Sequence, residues 1–333
     1  MVALRRKSKD KADEPKQPSG RSAARPSQIP RRGWREILWR VKDEVSRDNV
    51  DLIAAGVAFY GLLAIFPGIA ALVAIFGLVM DPATVQAQMQ QLTGMIPEAG
   101  RSIIEGQLTA VAAKPAQSLG LVAIGSILLA LWSATKGTKA LMRALNITYR
   151  EDEKRNFLKF NATALLLTLG AIIGTIVTLA LIVVVPALLD SVGGNLGLGD
   201  AAQWLISVLR WPILLVLAMI AFAALYRYGP SRRAPRWRWV SWGASGAVIL
   251  WVGVSMLFSW YVSAFDSYNE TYGSLGAVVI LLMWFYISAY VFLLAAEINA
   301  EMEHQTAKDT TVGAEKPLGK RGAFAADHAA GRS

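Results

Sequence analysis

Residues 274–298 read SLGAVVILLMWFYISAYVFLLAAEI, with no charged side chain before Glu297. A hydrocarbon core of about 30 Å takes about 20 helical residues to cross, so this stretch alone is long enough. Lipid offers the backbone no hydrogen bonds, and a crossing segment must satisfy its own N–H and C=O groups as a helix or in a closed barrel. The apolar residues run continuously instead of alternating, which selects the helix.

Five further runs of the same character precede it, at 52–79, 118–135, 160–188, 204–226 and 240–263. The chain therefore reads as an all-α polytopic membrane protein with six transmembrane helices. Hydrophobic residues make up 54% of the 333 and charged residues 17%, yet the net charge is +10, so the basic residues are gathered outside the apolar runs. Their placement sets an orientation. Fourteen Lys and Arg precede Asp48, seven lie in 133–159, five in 227–238 and five after Glu297, whereas 190–203 and 265–273 hold none and 81–117 only Arg101 and Lys114. Short basic loops stay in the cytoplasm, so both termini are expected there. The absence of cysteine excludes disulfides, thiolate metal sites and a cysteine nucleophile. The first apolar run lies behind a long polar tail, unlike a cleaved leader, and is expected to be retained.

Residues 1–33 mix Lys, Arg, Pro, Ser and Gly with few large apolar side chains and are expected to be a disordered basic cytoplasmic tail. Such a tail is attracted to anionic headgroups by about 1 kcal/mol per basic residue. It lacks aromatic interleaving or a binding fold, so no nucleic-acid partner is expected. Over 34–47, Trp34, Ile37, Leu38, Val41 and Val45 recur at helical spacing, which predicts an amphipathic helix lying on the membrane interface. The transmembrane domain then occupies 48–302, with Asp48 as the expected N-cap of its first helix, and 303–333 forms a second disordered cytoplasmic tail. Between the first two spans, Asp81-Pro82 and Pro97-Glu98 predict two short external helices.

Several motifs carry a resemblance. Ala54, Ala55, Ala58-Phe59-Tyr60 and Phe66-Pro67 are followed by Trp132-Ser133, Ala144-Leu145-Asn146 and Tyr149, then Tyr226-Arg227, Pro230, Trp242-Gly243-Ala244 and Trp251. The fullest match is Tyr268, Tyr272-Gly273-Ser274-Leu275-Gly276, Trp284, Tyr286, Glu297 and Asn299. Together, over about Trp34 to Glu301, these resemble the YihY/BrkB family of bacterial inner-membrane proteins. The resemblance implies six membrane helices, cytoplasmic termini and an inner-membrane location, and it supplies no settled reaction. Some members carry a ribonuclease BN label, others a virulence or serum-resistance one. A metal-dependent nuclease needs His and carboxylate ligands around an open site. The two histidines here, His304 and His328, both lie in the polar C-terminal segment, so neither a catalytic residue nor a metal or other cofactor is expected.

What remains is polar chemistry near or inside the bilayer. Arg210 falls about six residues into the fourth apolar run, at a depth from which it either snorkels to headgroups or faces an interior cavity, with Asp190 and Asp266 as candidate partners. Glu297 is expected to pair with Lys136, Lys139 or Arg227. Pro67 removes a backbone hydrogen bond and marks a kink that serves as a hinge or a packing adjustment. Tyr268 and Tyr272 rim a Gly-containing entry to the last helix, read as a gate or an interface turn. Lys136, Lys139, Arg143 and Arg227 are candidates for contact with phosphate headgroups. Gly170, Gly174 and Thr178 offer a small-residue ridge for close packing or homo-oligomer formation. These features favour transport or flipping of a lipidic or amphipathic substrate. The alternative is a non-catalytic scaffold that holds envelope protein partners, and membrane lipids are partners in either case.

Overall fold

The computed structural model describes residues 19–79, 116–186, 200–264 and 274–330. Among them there is no strand, and the architecture is all-α. Helix α1 (Arg31–Arg47) meets α2 (Val50–Val79) at a bend, and four more long helices follow: α3 (Ala116–Thr148), α4 (Phe157–Leu179), α5 (Asp200–Tyr228) and α6 (Trp237–Ala264). The last long helix is α7 (Ser274–His304), and a single turn, α8 (Phe324–Asp327), ends the fold. Asn156 caps α4 by accepting the Lys159 N–H, and the helix continues into a π-helical turn at Ala180–Val184.

Among α2 to α7, four helices are long and apolar enough to cross a membrane over their described residues: Phe157–Ile182, Trp204–Tyr228, Trp237–Ser263 and Val278–His304. A fifth crossing results if α1 and the start of α2, bent by 64°, form one broken span. The 30 residues of α2 extend through Pro67 without a break in the helix, and α3 is 33 residues long. The six helices from α2 to α7 close a ring. Each packs on the next in chain order, and α7 returns to α2 while also touching α3.

The α1–α2 junction corrects one expectation. Asp48 ends α1, its N–H donating to the Glu44 carbonyl, and Asn49 adopts φ 50° before α2 begins. Asn tolerates this left-handed conformation better than most residues, which makes it a natural breaker here. The acid in the first turn of α2 is Asp51.

The face of α1 expected to lie on the membrane is instead largely used by protein. Ile37 and Val41 are buried with Ile29, Trp239 and Met302, and Leu294 and Ile298 pack against them. Burying each of these large side chains contributes about 1.5–3 kcal/mol. Leu38 and Trp39 stay exposed on the opposite flank and are the apolar residues left for an interface.

The expectation of a disordered C-terminal tail does not hold over 303–330. Arg321 is buried, and its guanidinium donates to the carbonyls of Ala307, Lys308, Lys316 and Ala326. One side chain thereby satisfies backbone acceptors that a polar sequence of this length otherwise leaves to water. Part of the N-terminal tail is ordered by the same segment: Ala307 N donates to the Arg21 carbonyl, and Thr306 Oγ1 to that of Ala23 at 2.6 Å. The basic stretch 1–18 and the region 80–115, where two short external helices are expected, lie outside the described residues.

Candidate functional site: the polar end of the helix ring

One end of the ring collects α1, the loop after α3, the loop after α5 and the C-terminal segment. The Lys154 N–H donates to Ser231 Oγ, Arg155 donates to the Gly229 carbonyl at 2.8 Å, and the Phe324 N–H donates to Glu151 Oε1 at 2.6 Å. Arg236 donates to the Thr311 carbonyl across the isolated bridge between Pro235 and Thr311. The two basic loops and both described ends therefore share one face of the molecule.

Asn146, on the last turn of α3, organises this end. Its Oδ1 accepts the Ser231 N–H at 2.7 Å, and its Nδ2 donates to Glu153 Oε2 at 2.9 Å. Partial burial would raise the Glu153 carboxyl, but hydrogen bonds from Arg155 and Asn146 outweigh it and hold the group at about 2. Beneath lies a buried ion pair, Arg232 with Glu303 at 2.7 Å, their side chains 0% and 3% exposed. Burial alone would lower the Arg232 guanidinium, and Glu303 beside it turns the shift upward. The same guanidinium stacks 4.0 Å over the Tyr149 ring, and burial pushes the Tyr149 phenol up.

Glu297 sits deeper on α7, 2% exposed. Its carboxyl faces Asp48, Thr148, Glu44 and Glu301, and Oε1 has no hydrogen-bond partner. The cations nearby are engaged elsewhere: Arg40 with Glu301, and Arg47 and Arg150 with Glu44. The expected pairing of Glu297 with Lys136, Lys139 or Arg227 is not made; among the described residues Glu297 forms no ion pair. Helix α3 directs Lys136 over Trp132 at 3.5 Å and Arg143 over Phe160 at 5.8 Å, with Lys139 half-buried between them. Arg227 donates to the Pro235 carbonyl and stacks 4.6 Å over Trp237.

Further along the ring, aromatic side chains join α5, α6 and α7. Tyr226 stacks on Phe292 at 4.7 Å and donates to its carbonyl at 2.9 Å, while Phe222, Trp251 and Trp284 extend the group. Trp251 Nε1 donates to Ser288 Oγ at 3.0 Å, so α6 and α7 exchange a hydrogen bond as well as surface. Arg210 belongs elsewhere. Sixteen residues from Tyr226 along α5, or about 24 Å, it is half-buried over Trp211 with Nε unpartnered. Arg210 and Glu297 thus do not converge on one site. Asp190, Asp266, Tyr268 and Tyr272 lie outside the described residues, as does the side chain of Pro67.

Among the described residues no three of His, Asp and Glu are placed to hold a metal ion. The sequence alone assigns no role to Asn146, Tyr149, Arg232 or Asn299. Three of them stand within the family motifs, but the partners that give them roles are remote in the chain: Ser231 for Asn146, Arg232 for Tyr149 and Gly243 for Asn299.

A family model for virulence factor BrkB matches residues 41–318. The chain is 37% identical over 181 residues to YfkH of Bacillus subtilis, named a ribonuclease-like protein, covering 54% of this chain and 65% of that one. It is 27% identical to a UPF0761 membrane protein of Idiomarina loihiensis, covering 49% of this chain and 55% of the relative. With a UPF0761 membrane protein of Aliivibrio salmonicida it shares 26% identity over 81% of this chain and 83% of the other. The match thus spans just under two thirds and just over half of the first two relatives. No solved structure matches. Because the family model takes in every long helix from α2 to α7 and the connections between them, the chain belongs to the virulence factor BrkB family of multi-pass membrane proteins.

Proposed function

We propose that this protein moves a lipidic or otherwise amphipathic substrate across the bacterial inner membrane, through a ring of six membrane-spanning helices with both chain ends in the cytoplasm. The observation that carries the reading is the ring itself. Each of its helices has a neighbour on either side, yet in the most apolar 18-residue stretch of Trp204–Tyr228 not one residue is fully buried. The side chains of that stretch are open to an acyl chain, and the orphaned polar atoms of Arg210 and Glu297 offer headgroup contacts at two depths. The orientation is supported by the gathering of the basic loops and both described ends on one face.

The ribonuclease-like name of the Bacillus relative does not enter the reading, because the polar end offers ion pairs and capped loops instead of a metal-ligand set. The test is the purified full chain in vesicles of phosphatidylcholine and phosphatidylglycerol carrying a fluorescent phospholipid. The expected result is faster exchange between leaflets than in protein-free vesicles, slowed by Arg210→Ala or Glu297→Ala. Exchange no faster than in protein-free vesicles across a panel of lipids and amphiphiles overturns the proposal.

A further inference from the structure

Helices α3 and α4 contain no acidic residue between Ala116 and Val184 apart from those in the loop 149–156 that joins them, yet they present Lys136, Lys139, Arg143 and Lys159 at the polar end. On α3 the three cations fall within an arc of about 60°, at about 100° per residue. That arc borders the buried side of the helix, which runs from Thr135 and Met142 round to Leu145, with Lys139 nearest to it and half-buried. Arg143 reaches across to α4 and covers Phe160, the neighbour of Lys159, while Arg155 covers the same ring from the loop at 5.5 Å. Lys136, Lys139 and Arg143 thereby form one strip along α3 that ends against Phe160 of α4, whereas Lys159 lies about 180° around α4 from Thr168, the residue that meets Thr138 of α3.

Arg40, Arg150, Lys154, Arg155 and Arg232 all hold carboxylates, and Arg227 and Arg236 donate to backbone carbonyls, whereas Lys136, Lys139 and Arg143 make no ion pair among the described residues. Large apolar side chains lie on the same side of α3: Trp132, on which Lys136 stacks, is 56% exposed, and Leu128 and Leu129, one turn earlier, are 61% and 52% exposed. Apolar side chains this open are poorly placed in water, and aromatic residues with adjoining cations are common in the headgroup layer. A soluble anion would satisfy the charges and leave Trp132, Leu128 and Leu129 uncovered; a lipid satisfies both.

We propose that the strip formed by Lys136, Lys139 and Arg143 is a binding site for an anionic phospholipid, with the headgroup phosphate held by the cations and the acyl chains lying along Trp132, Leu128 and Leu129. The site depends on the chain being a membrane protein and is independent of whether the protein moves lipid. Binding and movement are read by different assays, so either can fail alone.

The test uses the full-length protein in detergent, titrated with short-chain phosphatidylglycerol or phosphatidylcholine and followed by native mass spectrometry. Phosphatidylglycerol is expected to bind about ten-fold more tightly or better. Each neutralised cation should weaken it about five-fold, so Lys139→Gln with Arg143→Gln should cost about 25-fold and remove most of the preference. Lys139→Arg with Arg143→Lys should retain it. A control pair on the exposed C-terminal segment, Lys316→Gln with Lys320→Gln, should leave binding unchanged, and a thermal melt of each variant reports that it is folded. Equal binding of the two lipids overturns the proposal. So does equal weakening by the site and control pairs, which would mean diffuse attraction to a basic surface, and so does full competition by millimolar inorganic phosphate.

Discussion

Replacing Gly243 with alanine tests how the polar end is held together. Gly243 lies on α6 facing α7, and a methyl group there would overlap the carboxamide oxygen, carbon and nitrogen of Asn299. Asn299 is buried, so its side chain has little free volume to retreat into. Overpacking of this kind costs about 1–3 kcal/mol. The added methyl would lie far inside contact distance of the Asn299 oxygen, which places the cost at the upper end of that range. The better helix propensity of alanine returns about 1 kcal/mol. The net loss is then about 2 kcal/mol. Gly246, one turn on in the same helix, has nothing within 4 Å of the place a methyl group would occupy and serves as the control. Unfolding of the purified protein in detergent, followed by tryptophan fluorescence against added denaturant, should show Gly243→Ala well below wild type and Gly246→Ala equal to it or slightly above. Coincident transitions for the two variants would refute the packing reasoning.

Three further outcomes follow from the same end of the molecule. Arg232→Met leaves Glu303 buried without its cation and should destabilise by about 3–5 kcal/mol, whereas adding Glu303→Leu should recover most of the loss in the same assay. Glu153 is held at about 2, below its ordinary 4.5, so its stabilising contribution is complete above about pH 4.5 and disappears as pH falls towards 2. The stability gap between wild type and Glu153→Gln should therefore be full at neutral pH and close as the titration approaches that lower value; a gap independent of pH would contradict the assignment. Tyr226→Phe removes the hydrogen bond to the Phe292 carbonyl and should cost about 0.5–1.5 kcal/mol, with the aromatic stack intact in near-ultraviolet circular dichroism.

The long helices are legible in the sequence because their signal is local. About twenty or more consecutive apolar residues carry their own reason to be helical in lipid, and α4 to α7 lie close to where the apolar runs place them. The basic loops are legible for the same reason, since charge between apolar runs is counted without knowing any contact. Glu297 stands out as an acid at the end of such a run, but its surroundings do not. Lys136 and Lys139 have the right charge to be its partners and lie near the same membrane surface. The structure turns them outward on α3 and sets Glu297 against Asp48 and Thr148.

The two tails divide along the same line. Composition makes 303–333 a chain too polar to fold alone, which holds for an isolated segment. It does not hold for a segment that lies across preformed loops: Asp309 accepts the backbone N–H groups of Thr311 and Lys316, Arg321 collects four carbonyls, and Phe324 docks on Glu151 and Arg150. By itself the sequence determined the helices, their apolar character and which connections are basic, because each depends only on residues near in the chain. Tertiary structure decided which charges pair, which remain unpaired and which polar segments become ordered, because those outcomes depend on side chains from separate connections meeting at one end of the ring.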